Sequence, residues 1–341
     1  MIDLRSDTVT KPTPAMLDAM FKATVGDDVF NEDPTVIALE QKAAKLFGHE
    51  AGLFCPSGTM TNQIAIKVHT QPGDEVLCDV SAHIYNYEGG GISFNSGAQA
   101  KLIPGERGRM SAQQVEEAIN PTLDWLTRTR LVSIENTGNR AGGSYYSLEQ
   151  MKVIGDVCKK HNLRYHLDGA RIFNAITEAK YTTLQVGQLF DSVSVCLSKG
   201  LGSPSGSVLL GSKEFIQQAR RVRKVFGGGM RQAGYLAAAG IYALDHHVDR
   251  LKEDHARAKV IGETMSQLSY IANVLPVDTN IIIFNLNEKL SVEKFIKQLG
   301  ENGIKSTGFG KQAIRFVTHL DFTDEMLEKT VNVLRAIQPE S

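Results

Sequence analysis

Apolar positions recur along the first two-thirds of the chain with two alternating periods. Met16, Leu17, Met20 and Phe21 share one helical face, and Val36, Leu39, Ala43 and Leu46 repeat the device between Pro34 and Phe47. Residues 51–55, 75–79 and 129–136 read instead as short strands closing on polar residues. Met151, Ile154, Val157 and Cys158 mark a helix over 148–161, which leads into a strand ending at Asp168. Val193 and Val195 alternate with Ser192 and Ser194, a glycine, serine and proline turn follows, and the pattern restarts at Ser207. Helix and strand in regular alternation predict an α/β fold with a mainly parallel sheet. From Leu244 the texture changes. Leu244, Val248, Leu251, Ala258, Ile261, Met265 and Leu268 predict one long connecting helix, and strand, helix, strand, strand, helix then form a small C-terminal α+β domain. The expected units are residues 1–245, a large domain with an N-terminal arm, and 246–341.

At 341 residues the chain is long for a single core. A net charge of −1 gives no electrostatic basis for binding nucleic acid or an anionic membrane. Cys55, Cys78, Cys158 and Cys196 are scattered, so neither a zinc ribbon nor a redox pair is expected, and no metal site is read from the sequence. The N-terminus is polar from Asp3 onward, and no run approaches the ~18 apolar residues of a membrane span. A cytoplasmic protein is expected.

The chemistry concentrates where strands end. Lys199 lies between an apolar strand and the turn Gly200-Leu201-Gly202-Ser203-Pro204. Leaving water favours the neutral amine, which attacks carbonyls, so Lys199 is a candidate Schiff-base lysine. Asp168 closes the preceding strand before Gly169, Ala170 and Arg171. An aspartate delivered to that rim suits a pyridine nitrogen, and the two residues together point to pyridoxal phosphate. Ser57, Gly58 and Thr59 open a helix, where backbone N–H groups and the helix dipole favour a phosphate. His83 follows a strand, and Arg315 lies within an apolar one, where a buried guanidinium requires an anion.

The runs Asp3-Leu4-Arg5-Ser6-Asp7-Thr8-Val9-Thr10, Gly26-Asp27-Asp28-Val29, Asp168-Gly169-Ala170-Arg171, Leu197-Ser198-Lys199-Gly200-Leu201-Gly202 and Gly227-Gly228-Gly229-Met230-Arg231-Gln232 resemble the low-specificity L-threonine aldolases. The resemblance extends from the first residues to Arg315-Phe316-Val317-Thr318-His319. It implies the aspartate aminotransferase-like fold of fold-type I pyridoxal phosphate enzymes and cleavage of L-threonine or L-allo-threonine to glycine and acetaldehyde. The alternatives are another fold-type I pyridoxal phosphate lyase on the same scaffold, such as a β-eliminating lyase, or a phenylserine-type aldolase. By the same resemblance Lys199 carries the cofactor, Asp168 meets its ring nitrogen, His83 stacks on its ring, and Gly58 and Thr59 hold its phosphate. Arg231 is expected to reach a phosphate in a neighbouring subunit, which implies a homo-oligomer, dimer or tetramer. Ser6, Arg171 and Arg315 are expected to clamp the substrate carboxylate, with Arg171 also bordering the cofactor. The base for the β-hydroxyl is open among His83, Lys224, Glu88 and water. The sequence departs from the family at Phe30, where a tyrosine is common, and at Trp125 and Gly138, where histidines are common.

Overall fold

Short polar side chains start most helices where the sequence puts them. In the computed structural model, which describes residues 1–338, Thr13 caps α1 (Pro14–Phe21), Asp33 caps α2 (Pro34–Phe47) and Ser57 caps α3 (Gly58–His69). Two short helices follow, α4 (His83–Asn86) and α5 (Gly91–Ser96). Capping boxes at Ser111, Ser147 and Thr182 begin α6 (Ala112–Ala118), α7 (Leu148–Lys160) and α9 (Thr183–Gly187), with α8 (Ile172–Ala179) between the last two. The remainder are α10 (Lys213–Val225), α11 (Gly234–His246), α12 (Leu251–Met265), α13 (Val292–Glu301) and α14 (Asp324–Ala336).

After the two-residue β1 (Ile2–Asp3), the large sheet begins with β2 (Ala51–Cys55), β3 (Asp74–Asp79) and β4 (Gln99–Ile103). It continues with β5 (Arg128–Glu135), β6 (Arg164–Gly169), β7 (Ser192–Cys196) and β8 (Ser207–Gly211). Its spatial order is β2-β8-β7-β6-β5-β3-β4, parallel except for β8, which runs antiparallel to both neighbours. Apart from the edge strand β4, its strands are largely buried on both faces, as a sheet covered by helices requires. The parallel strands end at one rim, so Cys55, Asp79, Glu135, Asp168 and Cys196 arrive together. That rim is where open α/β sheets bind ligands.

A second apolar cluster is built on Phe284, Phe295 and Phe316. Its sheet is antiparallel, in the order β12 (Thr307–Gly308), β13 (Ala313–Val317), β10 (Ile281–Leu286) and β9 (Ile271–Val274). β1 pairs with β11 (Ile304–Lys305), and Ile2 and Leu4 join this cluster. Arg5, Ser6 and Asp7 are thereby drawn from the small sheet toward the rim of the large one.

The expected single helix from Leu244 to Leu268 is two helices. α11 ends at His246 and α12 restarts at Leu251. His247 turns inward to bond the Leu201 carbonyl at 2.7 Å, and Arg250 pairs with buried Asp254 at 2.6 Å. Both halves present apolar residues to buried surface, so their periodicity continues across the break. No helix among the described residues is long and apolar enough to cross a membrane.

Candidate active site

Asp168 stands buried at the end of β6, where Ala170 N–H donates to Oδ1 at 3.1 Å and Asn62 Nδ2 to Oδ2 at 2.9 Å. His83 begins α4, its backbone N–H bound to Glu135 Oε2 at 2.8 Å and its Nδ1 2.9 Å from Glu88 Oε1. Asn62 and Gln63 donate to the two oxygens of Glu88 at 2.9 and 2.6 Å. Burial opposes a charge on His83; the bond to Glu88, with Asp168 and Glu135 nearby, outweighs it and raises the imidazole above its usual value. Burial and then the charge of Asp168 push the Glu135 carboxyl up to about 7. His83, Glu88 and Asp168 offer ligand atoms within 4.8 Å of one another. The contacts just named already engage both carboxylates and the histidine, as in a hydrogen-bonded cluster.

Lys199 follows β7 and places Nζ 3.5 Å from Cys196 Sγ. Burial raises the Cys196 thiol, but the Lys199 charge and a bond with Ser198 outweigh it and leave the thiol below its ordinary value. The start of α3 lies alongside, since a Cβ on Gly58 would stand 3.5 Å from Ser207 Oγ and 4.0 Å from Cys196 Sγ. Ser57 Oγ takes the Met60 N–H at 3.2 Å. The N–H groups of Gly58 and Thr59 are left for an anion.

On the other side of the rim Arg171 makes a buried two-point ion pair with Asp7, Nε to Oδ2 and Nη2 to Oδ1 at 2.7 Å each. Burial opposes the Asp7 charge, yet the guanidinium brings its carboxyl down to about 2. Arg171 Nη1 and Arg315 Nη1 converge on one neutral atom, Asn139 Oδ1, at 3.4 and 2.7 Å. Arg315 Nη2 donates to the Arg5 carbonyl at 3.0 Å, while its buried Nε has no partner. Burial, then the charge of Arg171, lowers Arg315 to about 10. Ser6 sits between these attachments and caps the turn Asp7–Val9. Arg315 reaches the Arg5 carbonyl across 310 residues of sequence, which brings Ser6, Arg171 and Arg315 together. A carboxylate here would supply the missing negative charge and two acceptor oxygens.

Residues 3–289 match the beta-eliminating lyase family. The chain belongs to that family. It is 43% identical over 338 residues to low-specificity L-threonine aldolase 1 of Arabidopsis thaliana, covering 97% of this chain and 94% of that one. The low specificity L-threonine aldolase of Escherichia coli strain K12 is 41% identical over 337 residues, 98% and 99% of the two chains. Among solved structures, a threonine aldolase of Leishmania major superimposes with a TM-score of 0.85 at 20% identity, over 98% of this chain and 99% of that one. At that identity the likeness speaks to fold, which is the fold-type I architecture expected from the sequence.

The three positions at which the sequence departs from the expected threonine aldolase pattern each have a definite place. Phe30 is 69% exposed with the Arg231 guanidinium 5.9 Å from its ring centre. Within the chain Arg231 pairs with Asp27 at 2.8 Å, on the segment that carries Phe30, and does not join the cluster around Lys199. Gly138 has no room for a side chain, because a Cβ would stand 2.9 Å from that of Ala141. Trp125 is 78% exposed in the segment between Asn120 and Thr127, both bonded to Glu75 at the start of β3. It lies at the opposite rim from Asp168, separated by the ~25 Å length of β5. Sequence reasoning missed Asp7, Asn62, Asn139 and Glu135 as members of the site. Asp7 and Asn139 lie inside or beside runs already singled out, but nothing local marks their partners.

Proposed function

We propose that the chain is a pyridoxal phosphate-dependent low-specificity L-threonine aldolase that cleaves L-threonine and L-allo-threonine to glycine and acetaldehyde. The observation that carries this reading is the Arg171–Arg315 pair, which shares one neutral oxygen and leaves Arg315 Nε buried without an anion. An α-amino acid carboxylate completes it.

The residues opposite fit the cofactor: an amine at the strand end, a carboxylate at the neighbouring strand end, and a capped helix start with free N–H groups. Lys199 would hold it, Asp168 would face its ring nitrogen, His83 its ring, and Ser57, Gly58 and Thr59 its phosphate. When bound, pyridoxal phosphate supplies the electron sink that stabilises charge left on the α-carbon. Arg171, kept rigid by Asp7, and Arg315 fix the substrate's carboxylate with Ser6, and so set which bond at the α-carbon lines up for cleavage. Glu88 has both oxygens engaged by Asn62, Gln63 and His83, so it orients the histidine. His83 is the base we assign to the β-hydroxyl, because Glu88 fixes Nδ1 and leaves Nε2 to exchange a proton.

Arg231 and the exposed Phe30 and Val225 support a homo-oligomer in which Arg231 serves a neighbouring subunit. Four free, buried cysteines suit the cytoplasm.

The test is chemical. Purified protein is expected to be yellow, to lose that absorbance on borohydride treatment with the added mass at Lys199, and to yield acetaldehyde and glycine from L-threonine. Lys199→Ala should be colourless as isolated. A wild type that takes up no pyridoxal phosphate, or that forms pyruvate from L-serine and no glycine from L-threonine, sinks the reading.

A further inference from the structure

Asn62 and His69 lie seven residues apart on α3 and so share one face. That face covers β6 and β7 where His166 and Ser192 are register partners. An unbroken line of hydrogen bonds joins them. His69 Nε2 is 2.8 Å from Ser192 Oγ, Ser192 Oγ is 2.8 Å from His166 Nδ1, and His166 Nε2 is 3.2 Å from Asn62 Oδ1. Asn62 Nδ2 then reaches Asp168 Oδ2 and Glu88 Oε1 at 2.9 Å each. His166, Ser192, Asn62 and Asp168 are all buried, and His69 stacks on Phe215 with ring centres 4.6 Å apart.

We propose that His166, Ser192 and His69 are positioning residues, a one-way hydrogen-bond relay that fixes the Asn62 amide and through it aims the Asp168 carboxylate at the cofactor's ring nitrogen. The inference rests on the pyridoxal phosphate reading above. Its direction is forced by chemistry. Carboxylates only accept, so the amide nitrogen must face Asp168 and Glu88, and its oxygen must face His166. His166 therefore carries its proton on Nε2 and accepts at Nδ1 from the Ser192 hydroxyl. That hydroxyl accepts in turn from His69 Nε2–H. A charged imidazole would break the sequence, and burial, then the neighbouring His69, hold His166 down at about 3. Without His166 the amide oxygen is left buried without a donor and the amide is held from its nitrogen side alone, so its aim at Asp168 loosens.

Two measurements test this. In His166→Leu, affinity for pyridoxal phosphate is expected to fall about tenfold, the scale of one misdirected charge-assisted hydrogen bond. Affinity for 1-deazapyridoxal phosphate, whose ring carries C–H in place of the nitrogen, should be unchanged. His166→Gln, which keeps a donor toward Asn62, should recover most of the loss. Equal weakening toward both compounds, or none toward either, makes the histidine merely structural and overturns the proposal. Ser192→Ala, a smaller change, should show the same selectivity at about threefold, and decides the matter if His166→Leu does not fold. In the wild type, nitrogen-15 NMR of the histidines is expected to find His166 neutral with its proton on Nε2. A proton on Nδ1 refutes the relay whatever the variants do. Failure of the wild type to bind pyridoxal phosphate at all instead strikes the parent reading.

Discussion

Replacing Asp7 by asparagine keeps the shape of the side chain and removes the anion that Arg171 is built around. The pair is fully buried and two-pronged, so solvent screening does not soften the loss. The carboxyl falls from 3.8 to about 2, worth about 2–3 kcal/mol at ~1.4 kcal/mol per pH unit. Because the folded-state value is the lower one, this stability is fully present above about pH 4 and is lost as the pH falls toward 2. The variant also leaves a buried guanidinium without its partner, and removing one side of such a pair costs ~3–5 kcal/mol. Asp7→Asn should therefore lie at least about 2 kcal/mol below wild type in denaturant unfolding at pH 7. The gap should hold to about pH 5 and narrow below pH 4. A second consequence is kinetic. Arg171 shares Asn139 with Arg315, so a misplaced Arg171 weakens the carboxylate clamp. KM for L-threonine is expected to rise about tenfold, with a smaller change in kcat, the pattern of lost uniform binding. A variant within about 0.5 kcal/mol of wild type at pH 7, with KM unaltered, would refute both the energetic argument and the clamp.

Arg315→Met should raise KM for L-threonine by about 10- to 100-fold, the scale of a charge-assisted hydrogen bond, and leave the bound cofactor's absorbance in place; bleaching would mean that Arg315 serves the cofactor instead. Glu135 titrates at about 7 in the folded chain against an ordinary 4.5, so the fold holds this proton after the unfolded chain has released it. Stability should decline between about pH 4.5 and 7 for this reason, and Glu135→Gln should flatten that decline in a series of unfolding midpoints. Gly138→His, which places there the histidine that the threonine aldolase resemblance leads one to expect, should cost ~1–3 kcal/mol by thermal unfolding because its Cβ meets Ala141; an unchanged midpoint would show that the loop yields freely.

The residues to which the chemistry is assigned stand out in the sequence because backbone position and side-chain type coincide within a few consecutive letters. A strand that closes Leu167-Asp168-Gly169 or Cys196-Leu197-Ser198-Lys199 announces both where a side chain emerges and what it is. The residues that aim them are a different kind of information. Asp7 finds Arg171 over 164 residues and Asn62 finds Asp168 over 106, and each looks locally like an ordinary polar position at a turn or helix start. Choice of a buried partner is made by tertiary packing, which no periodicity encodes. The broken helix has the same origin. The apolar stripe passes through residues 247–250 undisturbed, because a stripe reports burial, while the break is made by a carbonyl of the Lys199 turn accepting from His247. That contact anchors the turn that carries Lys199 on the segment leading into α12. The sequence, read by local pattern, has no means of displaying such a connection.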